Sequence, residues 1–128
     1  MGARCVEDLD AWRLAVEVRD LVIALSRRKP MCFDRSFCDD IRRSARSAPA
    51  NIAEGFRRFS HRDFARHVGI ALGSLEETRT HLSEATKSEY VDHESAERLA
   101  GMIKRAIGAS VRLRNYLTDT ATPDFLSP

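Results

Sequence analysis

Residues 37–59, FCDDIRRSARSAPANIAEGFRRF, carry one apolar stripe at the helical period. At about 100° per residue, Phe37, Ile41, Ser44, Ala45, Ala48, Ile52, Gly55 and Phe59 fall on one side. Arg42, Arg43, Arg46 and Arg57 stand opposite, with Ala50 and Ala53 between them. That pattern predicts an amphipathic helix over about 37–58. Its apolar stripe is rich in small side chains, so a second helix can approach closely there. Pro49 lies inside it, removes one amide donor and crowds the carbonyl four residues back, which predicts a kink. Glu54 precedes Arg58 by four residues, the spacing of a helical ion pair. Asn51 is expected to satisfy the carbonyl that Pro49 leaves open, and a polar pocket around Asn51 and Glu54 is the other reading.

Working outward, residues 30–36 form a short loop in which Asp34 or Ser36 can cap this helix. Before it, about 8–29 reads as a helix stopped by Pro30. Leu14, Val18, Leu21, Val22 and Leu25 form one stripe, and Leu9, Trp12, Val16 and Ile23 an adjoining one. Together they cover more than one bundle core needs, so this helix is either deeply buried in its own bundle or meets another subunit through Trp12, Val16 and Ile23.

After the central segment, Ser60 and Asp63 resemble a capping box, and Phe59 with Phe64 a hydrophobic staple. The third helix runs to about Ser88 and buries Phe64, Val68, Ala71, Leu72, Leu75 and Leu82. Arg62, Arg66, Gly69, Ile70 and Gly73 lie on its far side. Two such glycines cost about 1 kcal/mol each relative to alanine, a loss that close packing would offset, either inside the bundle or at an intersubunit seam. Asp92 or Ser95 caps a last helix over about 94–117 with Leu99, Met102, Ile103, Ala106, Ile107, Ser110, Leu113 and Leu117 at helical spacing. Residues 118–128 read as a loose tail. The expected architecture is all-α, an antiparallel up-down-up-down four-helix bundle, as one domain over 1–128 with its ordered core at about 8–117.

The 128 residues are 43% hydrophobic and 31% charged, which excludes wholesale disorder. The three cysteines have neither the number of a secreted disulfide scaffold nor the spacing of a zinc site. No apolar run approaches membrane-spanning length, and the acidic N-terminus is unlike a signal peptide. A cytoplasmic protein without membrane partner, metal or other cofactor is expected. Phosphate-loop and nucleophile-elbow motifs are missing, and the adjacent Glu76 and Glu77 cannot face each other on a helix. A non-enzyme is therefore expected.

Charge is unevenly placed. Residues 27–66 hold 11 basic and five acidic side chains, a net of +6, leaving −4 for the rest of the +2 chain. Arg42, Arg43, Arg46, Arg57, Arg58, Arg62 and Arg66 are the candidate phosphate contacts, since guanidinium groups grip phosphate in fork geometry. The plain alternative is a solvated helix face, and aromatic residues for stacking on bases are not expected on it.

The run Ile41–Gly55 closely resembles the IRRAxxSxPxNIAEG signature of a bacterial family that includes proteins encoded within intervening sequences of 23S ribosomal RNA genes. Leu9-Asp10-Ala11-Trp12 matches the family's L-x-x-W opening, and Ile70-Ala71-Leu72-Gly73-Ser74-Leu75-Glu76-Glu77 its IAxGSLxE segment, over roughly 8–117 in all. The resemblance implies a four-helix bundle assembling into a homopentameric ring, and no catalytic residues. It places the signature arginines at Arg42 and Arg43, the basic pair after the signature at Arg57 and Arg58, and Pro49, Asn51, Glu54 and Gly55 as its structural motif. The same architecture in an accessory protein of diversity-generating retroelements implies RNA or DNA, or another protein, as partner. Thr78 departs from an apolar residue, Arg79 from an acidic one, and Ser88-Glu89-Tyr90 from Leu-Gly-Tyr.

Overall fold

The computed structural model describes residues 3–120. Helices α1 (Asp10–Ser26), α2 (Arg35–Phe56), α3 (His61–Lys87) and α4 (His93–Asp119) follow 3-10 turns at Val6–Asp8 and, between α1 and α2, Met31–Phe33. Each helix packs on two others in the closed order α1–α2–α3–α4–α1. Cross-helix contacts fix the directions. Cys38 and Arg42 near the start of α2 bond to Ser26 at the end of α1. Tyr90 after α3 bonds to Asp34 before α2, and Arg28 after α1 to Ser95 at the start of α4. At the opposite end, His61 meets Thr120 and Phe56 packs edge-on against Phe64. Neighbouring helices are therefore antiparallel, as expected.

The core is aliphatic and small. Ala15, Val18 and Val22 of α1 meet Ala45, Ala48 and Ile52 of α2, Val68, Ala71 and Leu75 of α3, and Leu99, Ile103 and Ala106 of α4, all buried. Leu14 and Leu21, expected on the α1 apolar stripe, are only half-buried; the core-facing line is Ala11, Ala15, Val18, Val22 and Leu25. The α1 helix ends at Ser26, three residues before the expected stop, and α2 continues unbroken through Pro49.

The caps are local chemistry. Asp34 accepts from the Phe37 amide at 3.1 Å, Ser60 from Asp63 at 3.0 Å, and Asp92 from Ser95 at 3.0 Å, each satisfying a donor that the helix start leaves open. Asp34 also accepts from the Tyr90 hydroxyl at 2.6 Å, and these two bonds hold its carboxyl below the usual range. The staple does not form. Phe59 is 69% exposed, and Phe56, three residues earlier, takes its place against Phe64 with ring centroids 6.1 Å apart. The chain leaves α2 at Phe56, so Phe59 no longer follows the helical stripe. Thr118 and Asp119, expected in the loose tail, belong to α4, and the rest of that expectation, residues 121–128, lies outside the described part.

The α3 helix closes with Glu89 at φ 59, the Tyr90 amide donating to Ala85 at 2.8 Å and the Glu89 amide to Thr86 at 3.1 Å. This paired closure places a left-handed residue just past the helix, where a side chain costs about 1–2 kcal/mol and glycine nothing. The Leu-Gly-Tyr of the resembled family puts glycine at this position. Glu89→Gly is expected to stabilise the protein by about 1 kcal/mol, read as a rise in thermal midpoint. An unchanged or lower midpoint would show that Glu89 compensates for its strain.

Candidate nucleic-acid interface

The site is built on the outer faces of α2 and α3, whose mutual register is set by buried hydroxyls. Ser44 and Thr78 meet at 2.8 Å, and Ser74 donates to Ser47 at 2.7 Å. Thr78 also donates to the Ser74 carbonyl at 2.8 Å, so these polar groups are satisfied where burial would otherwise penalise them. Asn51 donates to the Ser47 carbonyl at 2.9 Å and hydroxyl at 3.1 Å. It does not reach the Ala45 carbonyl that Pro49 leaves open, because its amide lies over the turn beginning at Ser47. One turn further on, a Cβ on Gly55 would stand 2.8 Å from the His67 Cβ, which is how closely α2 and α3 approach. Ser47, Asn51, Gly55 and Ser74 of the two matched motifs thus meet at one helix joint.

The arginines divide into two groups. Arg42 leaves the exposed row expected for it. It is half-buried and donates through Nε to the Ser26 hydroxyl at 2.8 Å, tying α2 to the end of α1, because its position on the wheel leans toward that helix. Arg57 and Arg58 both hold Glu54, each at 2.9 Å, so the expected Glu54–Arg58 pair is present with a second arginine added. The Arg57 hydrogen bond, then the Arg58 charge, keep the Glu54 carboxyl below the usual range. Arg43 stands 3.6 Å from Asp40 and is exposed. Arg46, Arg62 and Arg66 are exposed, with no ion pair to a carboxylate among the described residues.

Two further surfaces adjoin this face. Between α1 and α2 lies an open depression of about 480 Å³ whose lining includes Trp12, Ile23, Ala50, Ala53, Arg19 and Arg46. Trp12, Val16 and Ile23 are half-buried in the protomer. On α3, added Cβ atoms at Gly69 and Gly73 would meet nothing within 4 Å, and Ile70 is 43% exposed. The glycines are therefore not spent on packing inside the bundle. The buried Cys38 thiol donates to the Met31 carbonyl at 3.3 Å, and burial pushes its pKa up, so it stays protonated and is a poor nucleophile. Among the described residues, no His, Cys, Asp and Glu cluster could hold a metal ion, and no helix is long and apolar enough to cross a membrane.

Sequence periodicity missed the Ser44–Thr78 pair, although its signal was present. Thr78 departs from an apolar residue in the resembled family, and Ser44 stands where the signature has Ala, so each brings a hydroxyl to the joint. The tie between Arg42 and Ser26 had no comparable signal, since Ser26 reads only as one polar residue near a helix end.

A family model described as 23S rRNA-intervening sequence protein matches residues 7–109. The crystal structure of a protein of unknown function from the S23 ribosomal protein family of Bacteroides thetaiotaomicron VPI-5482 is similar at a TM-score of 0.56 and 23% identity, over 89% of this chain and 95% of that one. That likeness shows a common fold. No curated protein matches.

Proposed function

Because the chain belongs to the 23S rRNA-intervening sequence protein family, we propose that it is a non-enzymatic, self-assembling helical bundle that binds RNA or DNA phosphates through the outer arginines of α2 and α3. The observation carrying this reading is that Arg46, Arg62 and Arg66 are exposed without a carboxylate partner among the described residues, and that Arg43 is exposed and stands 3.6 Å from Asp40. Unpaired guanidinium groups are free to exchange water and counterions for phosphate oxygens, which makes binding salt-dependent and weakly selective for sequence. Self-assembly is supported by the open Gly69–Gly73 seam, exposed Ile70 and the half-buried Trp12, Val16 and Ile23. These suit a joint between copies, and the pentamer implied by the resemblance is the expected size. A cytoplasmic location is part of the same reading.

The non-enzymatic part rests on the shifted groups. Asp34 is lowered by the hydrogen bonds from Tyr90 and Phe37, Glu54 by Arg57 and Arg58, and Asp92 by Ser95. These three carboxylate shifts belong to caps or an ion pair, the rise at Tyr90 to its bond with Asp34, and the rise at Cys38 to burial.

The test is charge reversal at Arg43, Arg46 and Arg66, leaving the structural Arg42 in place. Affinity for a structured RNA at low salt is expected to fall at least about tenfold, and the slope of log affinity against log salt to flatten by about 1 for each phosphate that is no longer neutralised. Unchanged affinity in a folded triple variant would sink the nucleic-acid reading. The second reading is an oligomeric protein–protein scaffold without nucleic-acid binding, favoured by the depression in which Trp12, Ile23, Ala50 and Ala53 lie beside Arg19, Asp20 and Arg46.

A further inference from the structure

The fold spends Phe56 on the contact with Phe64 and leaves Phe59 69% exposed in the turn between α2 and α3. That turn reads Arg57-Arg58-Phe59-Ser60-His61-Arg62. We propose that it docks an unpaired base of a single-stranded nucleic acid, with Phe59 as the stacking surface and Arg62, Arg66 and Arg114 as the phosphate contacts. The inference rests on the nucleic-acid reading above and narrows its partner from any phosphate backbone to a strand with an accessible base.

Three observations carry it. The first is that Phe59 is held out by an ordered turn. Arg57 and Arg58 donate their amides to Glu54 and Gly55 at 3.2 and 3.0 Å, and Ser60 caps α3 through Asp63. A ring on a fixed backbone loses little freedom when a base stacks on it, which is what a stacking platform requires. The second is charge. Arg62, Arg66 and Arg114, three cations against the one carboxylate of Asp63, line an open groove of about 620 Å³ beside the turn, over Ala65 and Leu117. Arg57 and Arg58 share the single carboxylate of Glu54, so the turn keeps a net positive charge despite those ion pairs. The third is the contrast with Phe33, 71% exposed in the loop at the other end of the bundle. There the Lys29 ammonium lies 5.9 Å over the ring, so one face already has a cationic partner. Among the described residues no cation lies over the Phe59 ring in this way. Bases in a duplex are stacked on one another and offer no free face, so this arrangement discriminates by strandedness.

Binding of a labelled single-stranded oligoribonucleotide, its DNA counterpart and the duplex of the same sequence, measured by fluorescence anisotropy at one salt concentration, tests the proposal. Phe59→Ala is expected to weaken single-strand binding by roughly 5- to 150-fold, from about 1–3 kcal/mol per stacked base, while duplex binding holds within about twofold. Phe59→Trp is expected to restore it, with quenching of the new indole on binding. Equal losses for single strand and duplex would overturn the proposal, as would a change in assembly mass with no change in binding. Wild-type binding to both forms with no effect of Phe59→Ala removes the stacking site and leaves the arginine reading intact. If the wild type binds neither form, the nucleic-acid reading fails and takes this proposal with it.

Discussion

Gly55→Ala is expected to destabilise the protein by about 1–3 kcal/mol, the usual cost of forcing volume into a packed joint. The new Cβ would stand 2.8 Å from both the His67 Cβ and the Phe64 Cδ1, and 3.2 Å from the Phe64 carbonyl oxygen. Neither the Cβ nor the carbonyl is the free end of a flexible side chain, so α2 and α3 must separate. That movement would strain the Ser47–Ser74 and Ser44–Thr78 bonds further along the same joint. Urea unfolding followed through Trp12, the chain's single tryptophan, reads the loss as a lower midpoint at unchanged slope. Gly73→Ala is the control on the outer face. Its Cβ would meet nothing within 4 Å, so the protomer gains up to about 1 kcal/mol of helix propensity. If Gly73 lies in a joint between copies, the same substitution lowers the assembly mass measured by light scattering. A destabilised protomer from Gly73→Ala, or a harmless Gly55→Ala, would contradict this account of the two faces.

Leu75→Ala is expected to cost more, about 2–5 kcal/mol. Leu75 is 0% exposed and lies on α3 between Leu72 and Thr78, facing the core that all four helices share. Truncation removes three buried carbons and leaves a cavity that neighbours as small as Ala45, Ala48 and Ala71 cannot fill by repacking. Against a typical domain stability of about 5–15 kcal/mol, that is a large share, and calorimetry should show a clearly lowered midpoint. Ile70, five residues earlier and 43% exposed, makes the comparison sharp. Ile70→Ala should leave the unfolding midpoint of the protomer nearly unchanged. A small loss for Leu75→Ala would mean that the core is looser than its burial indicates.

The four helices were legible because their spacing records burial directly. Val68, Leu72, Leu75 and Leu82, and likewise Leu99, Ile103, Leu113 and Leu117, fall on the faces that periodicity assigns them, and all are buried. Asp34, Ser60 and Asp92 cap the helices as their residue types indicate, since a cap needs only partners three residues away. Periodicity went astray where a helix stopped. Phe59 continues the α2 stripe on paper, yet α2 ends at Phe56, and an angle of 100° per residue means nothing beyond the last helical turn.

The candidate interface was less legible. Composition located the basic segment, but a wheel treats Arg42, Arg43 and Arg46 alike. Arg42 binds Ser26 on another helix, Arg57 and Arg58 converge on Glu54, and Arg46, Arg62 and Arg66 have no carboxylate partner among the described residues. Such sorting depends on which neighbours come within about 3 Å, and that follows from helix ends and crossings rather than from sequence spacing.

Local order therefore settles the helices, their caps and the existence of a basic face, because each depends on residues within a turn or two of one another. Tertiary packing settles which arginines remain available, that Ser44 and Thr78 share a hydrogen bond, that Gly55 admits no side chain while Gly73 would, and that Phe59 faces water. Those outcomes depend on distances between residues far apart in the chain, and only the docking of α1, α2 and α3 sets them.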